Sequence, residues 1–315
     1  MREAGMADPI LVVGESLVDI VIGRHGQTTI FPGGSPANVA VALARLGADV
    51  QLATAYASDE DGDLLDQHFI SSGVTLVGDP HQLPRTSSAK AVVGRDGSAI
   101  YDFDLLWELP MPAPAPQPAL VHVGSVAALL QPGADVVLEV VRRFAPSATI
   151  SFDINARPAA TGMDGPQRAR IEELASYADL VQASDEDLAI VWPSLDTEAA
   201  ARHLIALGAG AVAVTRGDGG ASCVTPRGSV LVHAQPVTVV DTIGAGDSFC
   251  AGALDGLRLR GLLGPDARPR LRSLSVDDWR GVLERACRVA AITVSRAGPN
   301  PPTAAELEAG AGQSL

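Results

Sequence analysis

The chain reads as an α/β protein: a mostly parallel central sheet with helices on both faces, plus a small β-sheet excursion. Three observations lead there. Short apolar runs alternate with helix-period segments along almost the whole length, the pattern of βα units. Two pairs of strand-like runs interrupt that rhythm with no helix between them. Finally, 315 residues at 47% hydrophobic content suffice for one large core, since a chain of this size buries roughly 75% of its unfolded surface.

In order, the strand-like runs fall at residues 10–13, 50–54, 121–123, 149–152, 179–182, 211–215 and 237–240. The helical stretches between them are 36–46, 63–71, 134–144, 167–177, 197–207, 247–259 and 282–295. The first helix opens on Ser35 as N-cap, with Pro36 at the first helical position. In the stretch 247–259, Phe249, Cys250, Ala253, Leu254 and Leu257 share one helical face. The interruptions are 18–22 with 28–31, and 86–93 with 98–104, the latter a hairpin turning at Asp96-Gly97. They form either a small antiparallel sheet beside the body or a pair of edge hairpins. Prolines at 110, 112, 114, 116 and 118 then impose an extended connection back to the body.

Charge narrows the partners. With 23 basic and 37 acidic residues the net charge is −14, which opposes non-specific binding to nucleic acid or to an anionic membrane. Lys90 is the one lysine and follows Ser88-Ala89, so there is no G-x-x-x-x-G-K-[ST] phosphate loop. Cys223, Cys250 and Cys287 show no C-x-x-C spacing, which suits a reducing compartment. No apolar run approaches the ~18 residues of a membrane span, and the opening MREAGMADP lacks the apolar segment of a secretion signal. The expectation is a cytoplasmic protein. Gly208-Ala209-Gly210 with Ala213 spells a dinucleotide fingerprint, but it follows a helix and enters a strand, the reverse of that site. The six histidines show no metal spacing, and His122 reads as a satisfied core residue.

Two segments carry chemistry. In VVDTIGAGDSFCAGAL, residues 239–254, a β-branched run ends at Asp241, and Gly244-Ala245-Gly246 turn into a helix at Asp247. Amides at such a helix start, aided by the macrodipole, favour an anion, and glycines let a phosphate approach the backbone. Asp247 then serves either as a proton acceptor or as an N-cap on an ordinary helix. In FPGGSPANVAVALARLG, residues 31–47, Gly33-Gly34 and Asn38 set a flexible turn beside an amide side chain. That suits hydrogen bonds to a polyol; the alternative is a capped helix and no more.

Together these segments resemble the two signatures of the PfkB family of carbohydrate kinases. The resemblance runs from about residue 10 to 303, and GGSPANVAVALARLG and FDINARP are most similar to the bacterial fructokinase branch. It implies a ribokinase-like three-layer α/β/α fold in one domain over 1–315, with a β-sheet lid from about 15–34 and 86–108. It implies transfer of the γ-phosphate of ATP to a hydroxyl of a small sugar, fructose first. The alternatives are 2-keto-3-deoxygluconate, ribose, a nucleoside, a sugar phosphate, or a non-catalytic binding relative. A phosphorylated acceptor would call on Arg24, Arg85, Arg95 and Lys90.

The same resemblance assigns residues. Asp247 is the general base, and Gly244, Ala245 and Gly246 form the anion hole. Asp19, Gly33, Gly34 and Asn38 hold the sugar. Arg157, in the D-x-N-x-R run Asp153–Arg157, faces phosphate or sugar oxygens, unless it is a surface ion pair. Ser184, Thr215, Gly217 and Gly220 lie along the nucleotide. Asp187, where the family's N-x-x-E reads Ser184-Asp185-Glu186-Asp187, organises Mg²⁺ through water, unless it merely enriches an acidic helix start. Asp241 and carbonyls near residues 295–298 take K⁺. Exposed lid edges suggest a homodimer.

Overall fold

The computed structural model describes residues 9–23, 26–93 and 99–311. Among them are strands β1 (Ile10–Val13), β2 (Leu17–Ile22), β3 (Thr28–Gly33), β4 (Val50–Ala53), β5 (Thr75–Leu76), β6 (Ser87–Val93), β7 (Ala99–Asp104), β8 (Leu120–Gly124), β9 (Thr149–Asp153), β10 (Leu180–Ser184), β11 (Val212–Thr215), β12 (Ala221–Thr225) and β13 (Gly228–Val232). The large sheet has the order β13-β12-β11-β10-β9-β8-β1-β4-β5. It is parallel from β11 to β5, and β12 and β13 close it as an antiparallel hairpin.

Helices cover both faces, and the strands read accordingly. All four residues of β1 are buried. Leu11 and Val13 enter one core with helices Gly133–Phe144, Gly165–Tyr177 and Thr197–Leu207. Ile10 and Val12 enter the other, with helices Ser35–Arg45, Ala245–Leu259 and Val276–Val294. A strand alternates its side chains between faces, so a strand covered on both sides is apolar throughout.

The second sheet has the order β3-β2-β6-β7. The expectation of a purely antiparallel excursion is corrected here: β2 and β6 pair in parallel, joining two antiparallel pairs. The reason is direction. β2 follows β1 and β6 follows β5, so both leave the carboxyl edge of the body the same way. The turn expected at Asp96-Gly97 lies outside the described residues.

The strand expected at 237–240 does not form. Val237, Val239 and Val240 are 39%, 58% and 61% exposed, and the N–H groups of Val240 and Asp241 both donate to the Val294 carbonyl. β-branched residues favour a pleated surface only where a neighbouring strand offers one. The helix expected from 282 starts at Val276 instead, where Ser275 and Asp278 form a reciprocal capping box.

Candidate active site

The carboxyl ends of β9, β10 and β11 lie side by side, with Gln182 level with Asp153 and Ser184 level with Thr215. Open parallel sheets bind ligands at this edge. Facing it is the start of helix Ala245–Leu259. Gly244 is its N-cap at φ +73°, and a Cβ there would lie 2.8 Å from Pro299 Cβ, so glycine is required for conformation and space alike. Asp247 is the third residue of the helix, within its first turn, and the cap is Gly244, which removes the N-cap reading. Its Oδ1 accepts the Ser35 hydroxyl at 2.7 Å and its Oδ2 accepts the Asn38 amide at 2.8 Å. Burial raises its pKa, while those two bonds and the charge of Arg157 hold it down.

Ser35 differs from its expected role. The helix cap is Gly34, at φ +99°, where a Cβ would lie 2.4 Å from the Glu15 carbonyl. Ser35 is already helical, and its hydroxyl is spent on Asp247. Asn38 likewise donates to Asp247. Ala245 returns its N–H to the Thr242 carbonyl, and Gly246 has open space where a Cβ would stand. Its carbonyl accepts the Gln182 side chain at 3.0 Å.

Asp19 lies on β2, opposite Phe31. A Cβ on Gly33 would come within 2.2 Å of its carboxylate, so Gly33 is the space that Asp19 occupies. Burial, then the charge of Asp247, pushes the Asp19 carboxyl up to about 7, against the pull of Arg157.

Arg157 is exposed and does form an ion pair, with the buried Asp187. Its charge acts on Asp19, Asp153 and Asp247, and its guanidinium lies 3.9 Å from Asp187. Asp153 is 4% exposed, and burial first, then Asp187 and Asp247, raise its pKa well above the usual carboxylate range. Asp187 accepts from the Ala156 N–H through Oδ1 and from the N–H and hydroxyl of Ser184 through Oδ2. The acidic helix start is therefore a true capping box, and the Ser184 hydroxyl is turned into it.

Thr215 ends β11 half-buried, and Gly217, at φ +51°, opens to solvent. Gly220 belongs to the turn itself: a Cβ would meet the Val232 carbonyl at 2.1 Å. Asp241 accepts the N–H groups of Ile243 and Gly298, pinning the turn before Gly244 to the loop after Val294. Arg85 is paired with Asp104, Lys90 lies half-buried on β6, and Arg24 and Arg95 lie outside the described residues.

Sequence reasoning missed Glu15, Ser125 and Gln182. Glu15 is 4% exposed, accepts the Ala127 N–H at 2.8 Å, and is pushed up to about 7 by burial. The signal was present in Gly14-Glu15 directly after β1, at the ligand-binding edge of the sheet. His122 also departs from expectation. Its Nδ1 meets the Ser151 hydroxyl at 3.1 Å, but its buried Nε2 has no partner, and burial alone pushes its pKa down to about 3. The three cysteines are buried, and burial raises each thiol.

Asp19, Asp153, Asp187 and Asp247 thus share one guanidinium. This excess of carboxylate oxygen fits a hard divalent cation such as Mg²⁺. Among the described residues no three His, Cys, Asp or Glu side chains converge to hold an ion directly. Among the same residues no helix is long and apolar enough to cross a membrane.

Known proteins resemble this chain over most of its length. A fructokinase of Rhizobium leguminosarum bv. trifolii is 32% identical over 315 aligned residues, covering 88% of this chain and 96% of that protein. A crystal structure of fructokinase from Xylella fastidiosa with bound ATP superposes with a TM-score of 0.83 at 26% identity, covering 96% of this chain and 98% of that one. An aminoimidazole riboside kinase of Salmonella typhimurium is 27% identical over 78% of this chain and 79% of its own length. The model of the pfkB family of carbohydrate kinases matches residues 6–306, and with the ribokinase-like fold and the Gly244–Asp247 helix start in place, the chain belongs to that family.

Proposed function

We propose that this protein transfers the γ-phosphoryl group of ATP to a hydroxyl of a small sugar, with fructose as the preferred acceptor. The observation that carries the reading is Asp247, a half-buried carboxylate in the first turn of a helix, held by Ser35 and Asn38. The similarity to fructokinases, one of them with bound ATP, supports fructose and ATP as the substrates.

The residues then act as follows. Asp19 and the backbone at Gly33-Gly34 hold sugar hydroxyls, with Asn38 at the same site. Asp247 accepts the proton of the attacking hydroxyl as its oxygen closes in line on the γ-phosphorus. The helix-start amides of Gly246 and Asp247, with Ala245 turned back onto Thr242, and the Arg157 guanidinium stabilise charge on the equatorial oxygens, the largest part of phosphoryl-transfer catalysis. Thr215, Gly217 and the turn closed by Gly220 lie along the nucleotide phosphates, and Ser184 fixes Asp187. Asp187 would hold a Mg²⁺ ion through water, and the ion would supply neutralisation of phosphate charge. Asp241, between two loops rich in carbonyls, is the side chain for a monovalent cation such as K⁺. The smaller sheet, with residues 15–34 and 86–108, is the lid that excludes water, which would otherwise accept the phosphoryl group.

A coupled ADP-release assay against fructose, ribose, 2-keto-3-deoxygluconate and aminoimidazole riboside tests this. Fructose is expected to give the highest kcat/KM. If no sugar raises ADP release above the sugar-free rate, a binding-only relative replaces the kinase.

A further inference from the structure

Four connections join the smaller sheet to the body: residues 14–16, Gly34, residues 77–86 and residues 105–119. The first and the last meet at a single residue. Glu15 accepts the N–H of Ala127 at 2.8 Å, and Trp107, 3% exposed, donates its indole N–H to the carbonyl of Ala127 at 3.0 Å. Gly133 makes the second contact possible. A Cβ there would lie 2.4 Å from the indole, and its N–H holds the Trp107 carbonyl at 3.1 Å.

Ala127 lies in the short turn Val126–Ala128, entered through Ser125 at φ +58°. The Ser125 hydroxyl accepts the Asn155 side-chain N–H at 2.9 Å, two residues before the Ala127 N–H that Glu15 holds. Asn155 itself is at φ +35°. Among the described residues these two are the only non-glycines with positive φ. Such backbone is costly and persists where the surroundings over-determine it. Here the strained pair are hydrogen-bonded to each other, and Asn155 is two residues from both Asp153 and Arg157. Trp107 and Glu15 therefore both hold Ala127, and the same short turn carries Ser125, which holds Asn155.

We propose that Glu15 is a positioning residue whose carboxylate fastens two connections of the smaller sheet to the Ser125–Ala127 turn and, through Ser125 and Asn155, couples the seating of that sheet to the placement of Arg157. The catalytic consequence rests on the kinase reading; the mechanical one does not. Displacing the sheet must turn residues 14–16 and 105–109, and both are held on the turn that sets Asn155. Seating of a sugar under the sheet and of a phosphate at Arg157 thereby become linked events.

The test uses the full chain with Glu15→Ala and Glu15→Gln. Hydrogen exchange without ligand should rise about 10-fold or more in peptides covering 17–22 and 105–109 of Glu15→Ala, the scale of losing one charge-assisted hydrogen bond. Peptides of helix Thr197–Leu207 should not change. Glu15→Gln keeps an oxygen for the Ala127 N–H and should restore most of the protection. In turnover, Glu15→Ala should raise the sugar KM more than the ATP KM and increase sugar-independent ATP hydrolysis relative to transfer. Asn155→Ala should raise the sugar KM as well, and its effect should be less than additive with that of Glu15→Ala. Unchanged exchange in the two peptides of a folded Glu15→Ala protein overturns the fastening. Raised exchange with wild-type kinetic constants overturns the coupling to Arg157. A wild-type protein inactive on every sugar defeats the kinase reading instead, while the exchange result still stands for or against the fastening.

Discussion

At the scale of single residues, the proposed chemistry turns on how Asp247 would be kept ready to take a proton. Burial raises its pKa and the bonds from Ser35 and Asn38 lower it, so its environment sets where it ionises. Asp247→Ala should lower kcat by at least ~100-fold, the lower range for a positioned acid–base group, with sugar-dependent ADP release as the measure. Ser35→Ala removes one of the two lowering bonds. The base then stays protonated to higher pH, so the acid limb of the kcat/KM profile should move upward by a measurable fraction of a pH unit. A limb that stays in place, or moves down, would show that Ser35 does not tune this carboxylate. The residue types were legible in the GGSPAN and GAGD segments. The pairing was not, because Ser35 and Asn38 stand 212 and 209 positions from Asp247, beyond any local periodicity.

At the scale of elements, two helix starts and one strand pair build the site. Gly33 ends β3 at the point where the Asp19 carboxylate crosses from β2. Gly33→Ala should displace that carboxylate and raise the sugar KM about 10-fold or more, the scale of one lost hydrogen bond to a charged group. The ATP KM should hardly move, and steady-state kinetics with each substrate varied would show the split. Elements whose apolar pattern faces a core were readable: the helix at 197–207 has the bounds the sequence implies, and ILVV at 10–13 is the strand it suggests. The run 237–240 misled because its valines carry strand propensity but have no neighbouring strand. The capping box at Ser275 lay in view as S-x-x-D, yet the apolar period becomes continuous only farther along the helix.

At the scale of the whole molecule, arginines gather on buried acids away from the site. Asp179 is fully buried, accepts the Ile150 N–H, and pairs with Arg268 and Arg272. Asp255, equally buried, pairs with Arg258 and Arg285. Removing one member of such a cluster strands buried charge, so Asp179→Ala should cost about 3–5 kcal/mol, read as a lower urea midpoint. Because Asp179 precedes β10 at its amino end, opposite the site, the sugar and ATP KM values of the folded variant should match wild type. A midpoint within error of wild type would mean that the cluster adds nothing to stability. The net charge of −14 thus does not leave the basic residues diffuse: part of the arginine complement serves the frame, and Arg157 stands among the carboxylates of the candidate site.

The alternation of apolar runs fixed the layered α/β plan, and the two glycine-rich segments fixed the family, because both are local properties of spacing and residue type. Which carboxylates meet, which hydroxyl reaches Asp247, and how Glu15 comes to hold Ala127 from 112 positions away were decided by the tertiary fold. Those contacts depend on how strand ends and helix starts converge, and a chain's local pattern carries no record of which distant element it will face.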